Sequence, residues 1–411
     1  MVRFPLAALA LLALLVGAVF AIGGWGSRQD PEVKTSLTVA QLLGEAADAS
    51  FARALKPRPF QFPEDHGPHP DFRTEWWYVT GNLSDPDGNP YGFQLTIFRS
   101  ALSPPNAEPE VPSRGASSAW RADQVYMGHL ALTDGKNDAF HAFERFSRGA
   151  GGLAGATAQP FRVWLEDWEM TGPAEQGVDI FPLHLRAFER DVGISLTLNP
   201  AKPLVLQGDA GLSQKGPEPG NASFYYSFSR LEASGEINLG GQTARLAGLA
   251  WMDREWSTSA LSPGQVGWDW FALQLDDGSD LMYYQLRLKD GSADPLSKGI
   301  LVGPAGEASV LESSEVQLEV SDRWKSPLDG SEYPSGWRLA VPSEDLVLDL
   351  TPVLADQELN LSFRYWEGAV RVTGALQGQA IGGKGYVELT GYTDQGTRSR
   401  SGRMSRSPAQ N

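Results

Sequence analysis

Alternation of apolar and polar positions is the sharpest pattern in this 411-residue chain. Tyr91, Phe93, Leu95 and Ile97 alternate with Gly92, Gln94, Thr96 and Phe98, and Asp87-Gly88 separates this run from residues 76–83. Period-two patterning on both sides of an Asp-Gly turn predicts a β-hairpin. Short runs of this kind, parted by Gly- and Pro-containing stretches, fit an all-β chain from about residue 57 onward. Leu42, Leu43, Ala46, Ala47, Phe51 and Leu55 recur instead at helical spacing, with Thr38 as N-cap, which predicts one short helix over 37–55. Residues 104–118 and 149–158, rich in Pro, Gly, Ser and Ala, read as long loops. The Arg-, Ser- and Gly-containing tail from Asp394 reads as disordered.

The first hairpin has an echo. Glu75-Trp76-Trp77 aligns with Asp269-Trp270-Phe271, Asp87-Gly88 with Asp277-Gly278, and Phe93-Gln94-Leu95 with Tyr284-Gln285-Leu286. An acid beside an aromatic pair, a turn and an apolar strand carrying Gln, met twice in that order, point to a duplicated β domain. The halves would meet at 240–249.

Composition narrows the partners. With 45 Gly, 28 Pro and 13 Trp the balance suits strands and turns better than a helical bundle. The net charge of −16 argues against nucleic acid and against anionic lipid surfaces, which need a basic footprint. Without cysteine there is neither a disulfide nor a thiolate metal site. Arg3 precedes an apolar run over 4–22, the pattern of an export signal, and the run is long enough to serve instead as a membrane anchor. Cleavage and anchoring both stay open. The expected plan is a leader over 1–26, a linker with a helix over 27–56, β domains over 57–244 and 245–393, and a tail over 394–411.

The densest chemistry lies at Trp251, Asp253, Arg254, Glu255, Trp256, Trp268, Asp269 and Trp270. A carboxyl in a dry aromatic wall has a raised pKa and can donate a proton, so Asp253, Glu255 and Asp269 are candidate acids. Trp256, Trp268, Trp270, Tyr283, Trp76 and Trp77 are the candidate ligand contacts, their ring faces able to stabilise a cation. The opposing reading makes these indoles barrel plugs stacked on Arg254. His66-Gly67-Pro68-His69 has metal-like spacing, but its Gly and Pro indicate a turn, read as a structural or surface loop, and no metal or cofactor is expected. His129 and His184 read as satisfied barrel histidines, with His129 gaining importance if it faces a barrel lumen.

The blocks 65–69 and 74–83, 124–130, 208–227, 251–257 and 267–271 resemble the carotenoid 1,2-hydratase family and its secreted AttH-like relatives. The resemblance spans about 50–392 and implies two consecutive lipocalin-like antiparallel β-barrels. It also implies cofactor-free addition of water to an isoprenoid alkene. The hydratase pattern, however, has His-x-Trp and Tyr-x-Asp where this chain has Arg254-Glu255-Trp256 and Tyr283-Tyr284-Gln285. Arg and Gln cannot protonate an alkene, so Asp253, Glu255 or Asp269 would have to take the role. The leading expectation is therefore an exported, cell-envelope or periplasmic protein that binds an apolar lipid or isoprenoid, in partnership with a membrane transporter. The alternatives are a hydratase or hydrolase using a buried carboxyl, and a polysaccharide binder with exposed Trp platforms.

Overall fold

The computed structural model describes residues 50–105, 122–175, 179–258 and 261–393. The leader, the tail, residues 37–49 of the expected helix and 106–118 of the first expected loop lie outside these. Residues 50–55 form a turn, a bend and extended chain, so the described part of the expected helix is not helical. Residues 149–158, expected as loop throughout, include a short strand at Ala154–Thr157.

The first antiparallel sheet contains β1 (Thr74–Ser84), β2 (Pro90–Ala101), β3 (Gln124–Asp134), β4 (Ala139–Arg148), β5 (Ala154–Thr157), β6 (Arg162–Leu165), β7 (Trp168–Thr171), β8 (Leu183–Glu189), β9 (Val192–Pro200), β10 (Val205–Leu206), β11 (Leu212–Gln214), β12 (Ala222–Leu239) and β13 (Gln242–Ser257). The second contains β14 (Gln265–Leu275), β15 (Asp280–Leu288), β16 (Lys298–Val302), β17 (Ala308–Glu312), β18 (Gln317–Lys325), β19 (Glu332–Val341), β20 (Leu346–Pro352), β21 (Glu358–Asn360), β22 (Arg364–Leu376) and β23 (Gln379–Leu389). The strand orders are β4-β3-β2-β1-β13-β12-β9-β8-β7-β6-β5 and β17-β16-β15-β14-β23-β22-β20-β19-β18. In both, the first strand pairs with the last and the sheet ends at its fourth and fifth strands. The hairpins at Trp76 and Trp270 thus occupy equivalent places in two copies of one topology, as duplication requires. The first sheet is a nearly closed barrel, with β6 against β2, β3 and β4, and the second is a half-barrel.

The expected boundary at 240–249 needs correction. Residues 240–241 form the turn of the β12–β13 hairpin, and β13 pairs with β1 along its length, which seals the first sheet. The chain crosses to the second sheet only after Ser257. Turn glycines and a polar strand start imitate a linker in sequence, because a hairpin tip and a linker need the same residue types.

Strand periodicity sorts the side chains. Trp77 and Val79 of β1, with Met252 and Trp256 of β13, enter the first barrel's core, where they meet Phe224, Tyr226 and Phe228. Among them sits Glu75, fully buried, which accepts from Arg99 and Arg254 and from the His69 backbone N–H at 3.1 and 3.0 Å. Arg254 lies 4.0 Å from the Trp77 ring centre, and His69 stacks on Trp256 at 3.7 Å. The His-x-x-His segment, expected as a structural or surface loop, is a turn that plugs this end of the barrel, with His66 buried and paired to Tyr226 at 2.6 Å. The lumen where a lipocalin holds its ligand is filled here by aromatic rings.

The opposite faces of β1, β2, β12 and β13 pack on β14, β15, β22 and β23. The approach is close: a Cβ on Gly92 would come within 2.7 Å of the Ala369 Cβ. Polar bonds stitch the sheets together, including Asn82 Nδ2 to the Gly385 carbonyl at 2.9 Å and Gln274 Nε2 to the carbonyls of Ser229 and Ala250 at 2.7 and 2.9 Å.

Burial alone would raise the Glu75 pKa, but Arg254 and Arg99 hold it well below the usual carboxylate range. Its contribution to stability is therefore present above the ordinary carboxylate pKa and is lost as the pH falls through the native value. Glu75→Gln leaves two buried guanidinium groups uncompensated and is expected to cost about 3–5 kcal/mol near neutral pH. Urea denaturation measures this, and a loss below about 1 kcal/mol would show that the cluster is not a keystone.

Candidate active site

Between the two sheets lies a cavity of about 110 Å³. Its walls are rows of cross-strand partners. On the first sheet Thr96, Tyr78, Asp253 and Ser227 form one row, and Phe98, Trp76, Glu255 and Tyr225 the next. On the second, Tyr284, Trp270, Glu388 and Glu367 run side by side across four strands. Side chains directly opposite on an antiparallel pair stand about 5 Å apart, so these rows hold polar groups close together without any loop.

The two walls differ in their polar balance. Asp253 accepts from the Tyr225 hydroxyl and the Ser227 hydroxyl, each at 2.5 Å, and from Trp251 Nε1 at 2.6 Å. Burial pushes its pKa up to about 7 in spite of these three donors. Glu255 accepts from Ser223 at 2.5 Å and faces Lys215 Nζ at 3.5 Å, and Lys215 also lies 3.8 Å from the Tyr284 ring centre. The two carboxyls of the first wall are thus satisfied.

Those of the second wall are not fully satisfied. Glu367 is 1% exposed; the Tyr78 hydroxyl donates to its Oε1 at 2.5 Å, and its Oε2 has no partner among the described residues. Burial and the neighbouring Glu388 push the Glu367 pKa well above the usual range. Glu388, directly opposite on β23, accepts from Trp268 Nε1 at 2.9 Å, and burial raises it to about 7. Two adjacent buried carboxyls cannot both ionise cheaply, so the pair shares a proton near neutral pH. Gln94, fully buried in the same cavity, also has an unpartnered oxygen, Oε1, among the described residues.

The structure divides the sequence candidates by parity. Asp253, Glu255, Trp76, Trp268 and Trp270 line the cavity. Trp77 and Trp256 lie in the first barrel's core and Tyr283 in the second's, so these three expected ligand contacts point away from it. Asp269, the third candidate acid, also faces away: Arg287 Nε donates to it at 2.9 Å and the Tyr392 hydroxyl at 2.9 and 3.0 Å. It borders a separate polar recess of about 630 Å³ together with Gln285. Arg254 and Gln285, the departures from the hydratase pattern, therefore lie outside the cavity altogether. Of the cavity-lining tryptophans Trp270 is buried, and Trp76 and Trp268 are half-buried and pack against the cluster between the sheets. His184, expected as a satisfied barrel histidine, lies exposed on β8 and pairs with the Thr197 hydroxyl at 3.1 Å, whereas His129 is fully buried and bonds to Tyr365, a cavity residue, at 2.7 Å. Among the described residues no cluster of His, Asp and Glu is arranged to hold a metal ion.

Sequence reasoning missed Glu367, Glu388, Tyr78, Tyr225, Tyr365 and Lys215. Tyr78 and Tyr225 could have been found by counting in twos from Trp76 and from Asp253's strand partners. Glu367 and Glu388 carry no local signal, since they meet only through pairing of the last two strands.

Asp253 and Glu388 bind their protons more tightly in the folded than in the unfolded chain. Their contribution to stability is full below the ordinary carboxylate pKa and is lost as the pH rises to about 7. Unfolding free energy should accordingly fall by on the order of 2 kcal/mol per carboxyl between about pH 5 and 8. Asp253→Asn and Glu388→Gln should each flatten that slope, and an unchanged slope in both variants would remove these groups as its source.

Comparison with known proteins follows the fold. No curated protein matches the chain. The crystal structure of an AttH candidate from Nitrosomonas europaea is 36% identical, with a TM-score of 0.71, over 83% of this chain and 100% of that one. Kievitone hydratase from Nectria haematococca shares the fold at 14% identity and a TM-score of 0.62, over 85% of this chain and 98% of that one. The AttH-like family pattern matches residues 53–392, nearly all of the described chain, and the protein belongs to the AttH-like family.

Proposed function

We infer that the protein takes a compact, mainly apolar group into the cavity between its sheets and protonates it, in the cofactor-free hydration of an isoprenoid alkene. Glu367 carries this reading. It is a cavity-lining, buried carboxyl whose surroundings favour the protonated form, with one oxygen fixed by Tyr78 and the other without a hydrogen-bond partner among the described residues. An acid poised in this way can donate to a substrate that offers no hydrogen-bonding group of its own.

The cavity volume of about 110 Å³ is on the scale of the ~150 Å³ apolar cavity that admits benzene. It therefore seats one branched five-carbon unit, and a longer chain would have to extend beyond it. Transfer of the Glu367 proton to the less substituted alkene carbon forms a C–H bond and leaves a tertiary cation. The ring faces of Trp76, Trp268 and Trp270 stabilise that charge. Water then forms the C–O bond, and the proton it sheds restores the glutamate pair. Gln94, which lines the cavity and whose Oε1 has no partner among the described residues, is the acceptor nearest in kind to what this water needs. The apolar run over 4–22 supports an extracytoplasmic setting for the reaction.

A second reading, an apolar-ligand carrier without turnover, uses the same aromatic lining. Prenol incubated in heavy-oxygen water separates the two. The hydratase reading expects a labelled diol by mass spectrometry, about 100-fold less of it with Glu367→Gln, and binding by tryptophan fluorescence changed less than about threefold. Prenol bound equally by both proteins, with no label incorporated by either, would leave the carrier.

A further inference from the structure

We propose that Glu144, His129 and Tyr365 form a proton-relay triad in the cavity wall, in which the Tyr365 oxygen takes the proton from the water that captures the cation. The proposal rests on the hydration reading above. His129 on β3 and Glu144 on β4 are direct cross-strand partners, with His129 Nε2 and Glu144 Oε1 3.1 Å apart. On the other side of the ring, Nδ1 stands 2.7 Å from the Tyr365 hydroxyl, which reaches the cavity from β22 of the second sheet. Tyr365 precedes Glu367 by two residues, so both lie on one face of that strand.

The geometry assigns the protons. Burial would raise the Glu144 pKa, but His129 and the Ser362 hydroxyl, which donates at 2.5 Å, hold it below its ordinary value, so it remains a carboxylate. A carboxylate only accepts, which places the imidazole proton on Nε2 and leaves the Nδ1 lone pair facing Tyr365. The Tyr365 O–H then donates to Nδ1, and its oxygen, which stands beside the Glu367 carboxyl, keeps lone pairs that can accept. This is the hydroxyl–imidazole–carboxylate logic of an activated nucleophile, turned here to accepting a proton.

The cycle balances. As the water oxygen bonds to the tertiary carbon, one of its O–H bonds breaks toward the Tyr365 oxygen while the Tyr365 proton moves to Nδ1. The resulting imidazolium sits beside the Glu144 carboxylate. On reset Nδ1 returns its proton to Tyr365, and Tyr365 passes one to the Glu367 carboxylate that gave one at the start. Alkene plus water becomes alcohol, with no other reactant. Burial, with the neighbouring Glu367 and Glu388, raises the Tyr365 pKa well above its usual value, so the phenol keeps its proton at rest and accepts only from a strongly acidic oxonium.

The same contacts could serve only to join the two sheets, and the test separates the roles. In nitrogen-15 spectra of histidine-labelled protein, with the His129 signals assigned through His129→Gln, neutral His129 should carry its proton on Nε2. In prenol hydration Tyr365→Phe and His129→Gln should each lower kcat about 100-fold with KM changed less than about threefold, and the double variant should be no slower than either single one. Thermal melts identify a variant that fails to fold, and the other then decides. A proton on Nδ1, or a folded His129→Gln protein with wild-type kcat, overturns the triad. A wild type that leaves prenol unhydrated while His129 is protonated on Nε2 sinks the hydration reading and not the assigned geometry.

Discussion

The structure depends on a register constraint. Along β1 and β13 one set of side chains fills the first barrel and the alternate set faces the second sheet, so both faces of each strand are buried. Pairing fixes Glu75 opposite Trp256 and Trp77 opposite Arg254 on one face, and Trp76 opposite Glu255 and Tyr78 opposite Asp253 on the other. A slip of one residue would send Arg254 and Trp256 into the cavity and Asp253 and Glu255 into the aromatic core. The ion cluster of Glu75, Arg99 and Arg254 makes that slip costly, because the glutamate finds its two guanidinium partners in only one register. The internal cluster therefore positions the cavity from the opposite face of the sheet, with Arg254 donating to the backbone carbonyls of the cavity residues Trp76 and Glu255.

The same parity explains which parts of the site were legible in the sequence. The all-β class, the first hairpin and its echo followed from period-two patterning and Asp-Gly turns, which are local signals. The cluster from Trp251 to Trp270 was also visible, but sequence proximity alone could not divide it. Asp253 and Glu255 share a face, as do Trp268 and Trp270, while Trp256 and Asp269 lie between them in number and opposite them in space. Trp77 and Tyr283 were each one residue away from a cavity residue, Trp76 and Tyr284. A strand buried on both faces has no polar side to reveal its orientation, so hydrophobicity gave no means of choosing.

The filled first barrel marks a division of labour. In a lipocalin-like fold the lumen is the expected ligand site, yet here the plug at Glu64–His66, together with Arg254, His69 and the surrounding rings, occupies it. The docking of two sheets recreates a cavity outside both lumens, with walls that are regular strands. Rigid strands hold facing groups more closely than loops do, which suits chemistry that depends on the exact placement of a proton donor.

The cost of the second wall is the strongest physical argument that it serves a ligand. Glutamates placed directly opposite one another on paired strands repel, and a buried acceptor without a partner costs roughly 1–3 kcal/mol. Elsewhere in the interface several comparable groups are satisfied, as with Asn82, Gln274 and the Thr133 hydroxyl bonded to Gln357 at 2.6 Å, while the buried Tyr386 hydroxyl and Gln207 Oε1 also have no hydrogen-bond partner among the described residues. Unpartnered indole nitrogens also occur at Trp256 and Trp337, but these lie in filled cores where nothing further could bind. Glu367 and Gln94 differ because both residues line the cavity between the sheets. Packing for stability alone would have replaced Glu367 with an apolar residue of similar size. Its retention beside Glu388 makes sense if a bound water or substrate supplies the missing partner and the shared proton is what the cavity exists to deliver.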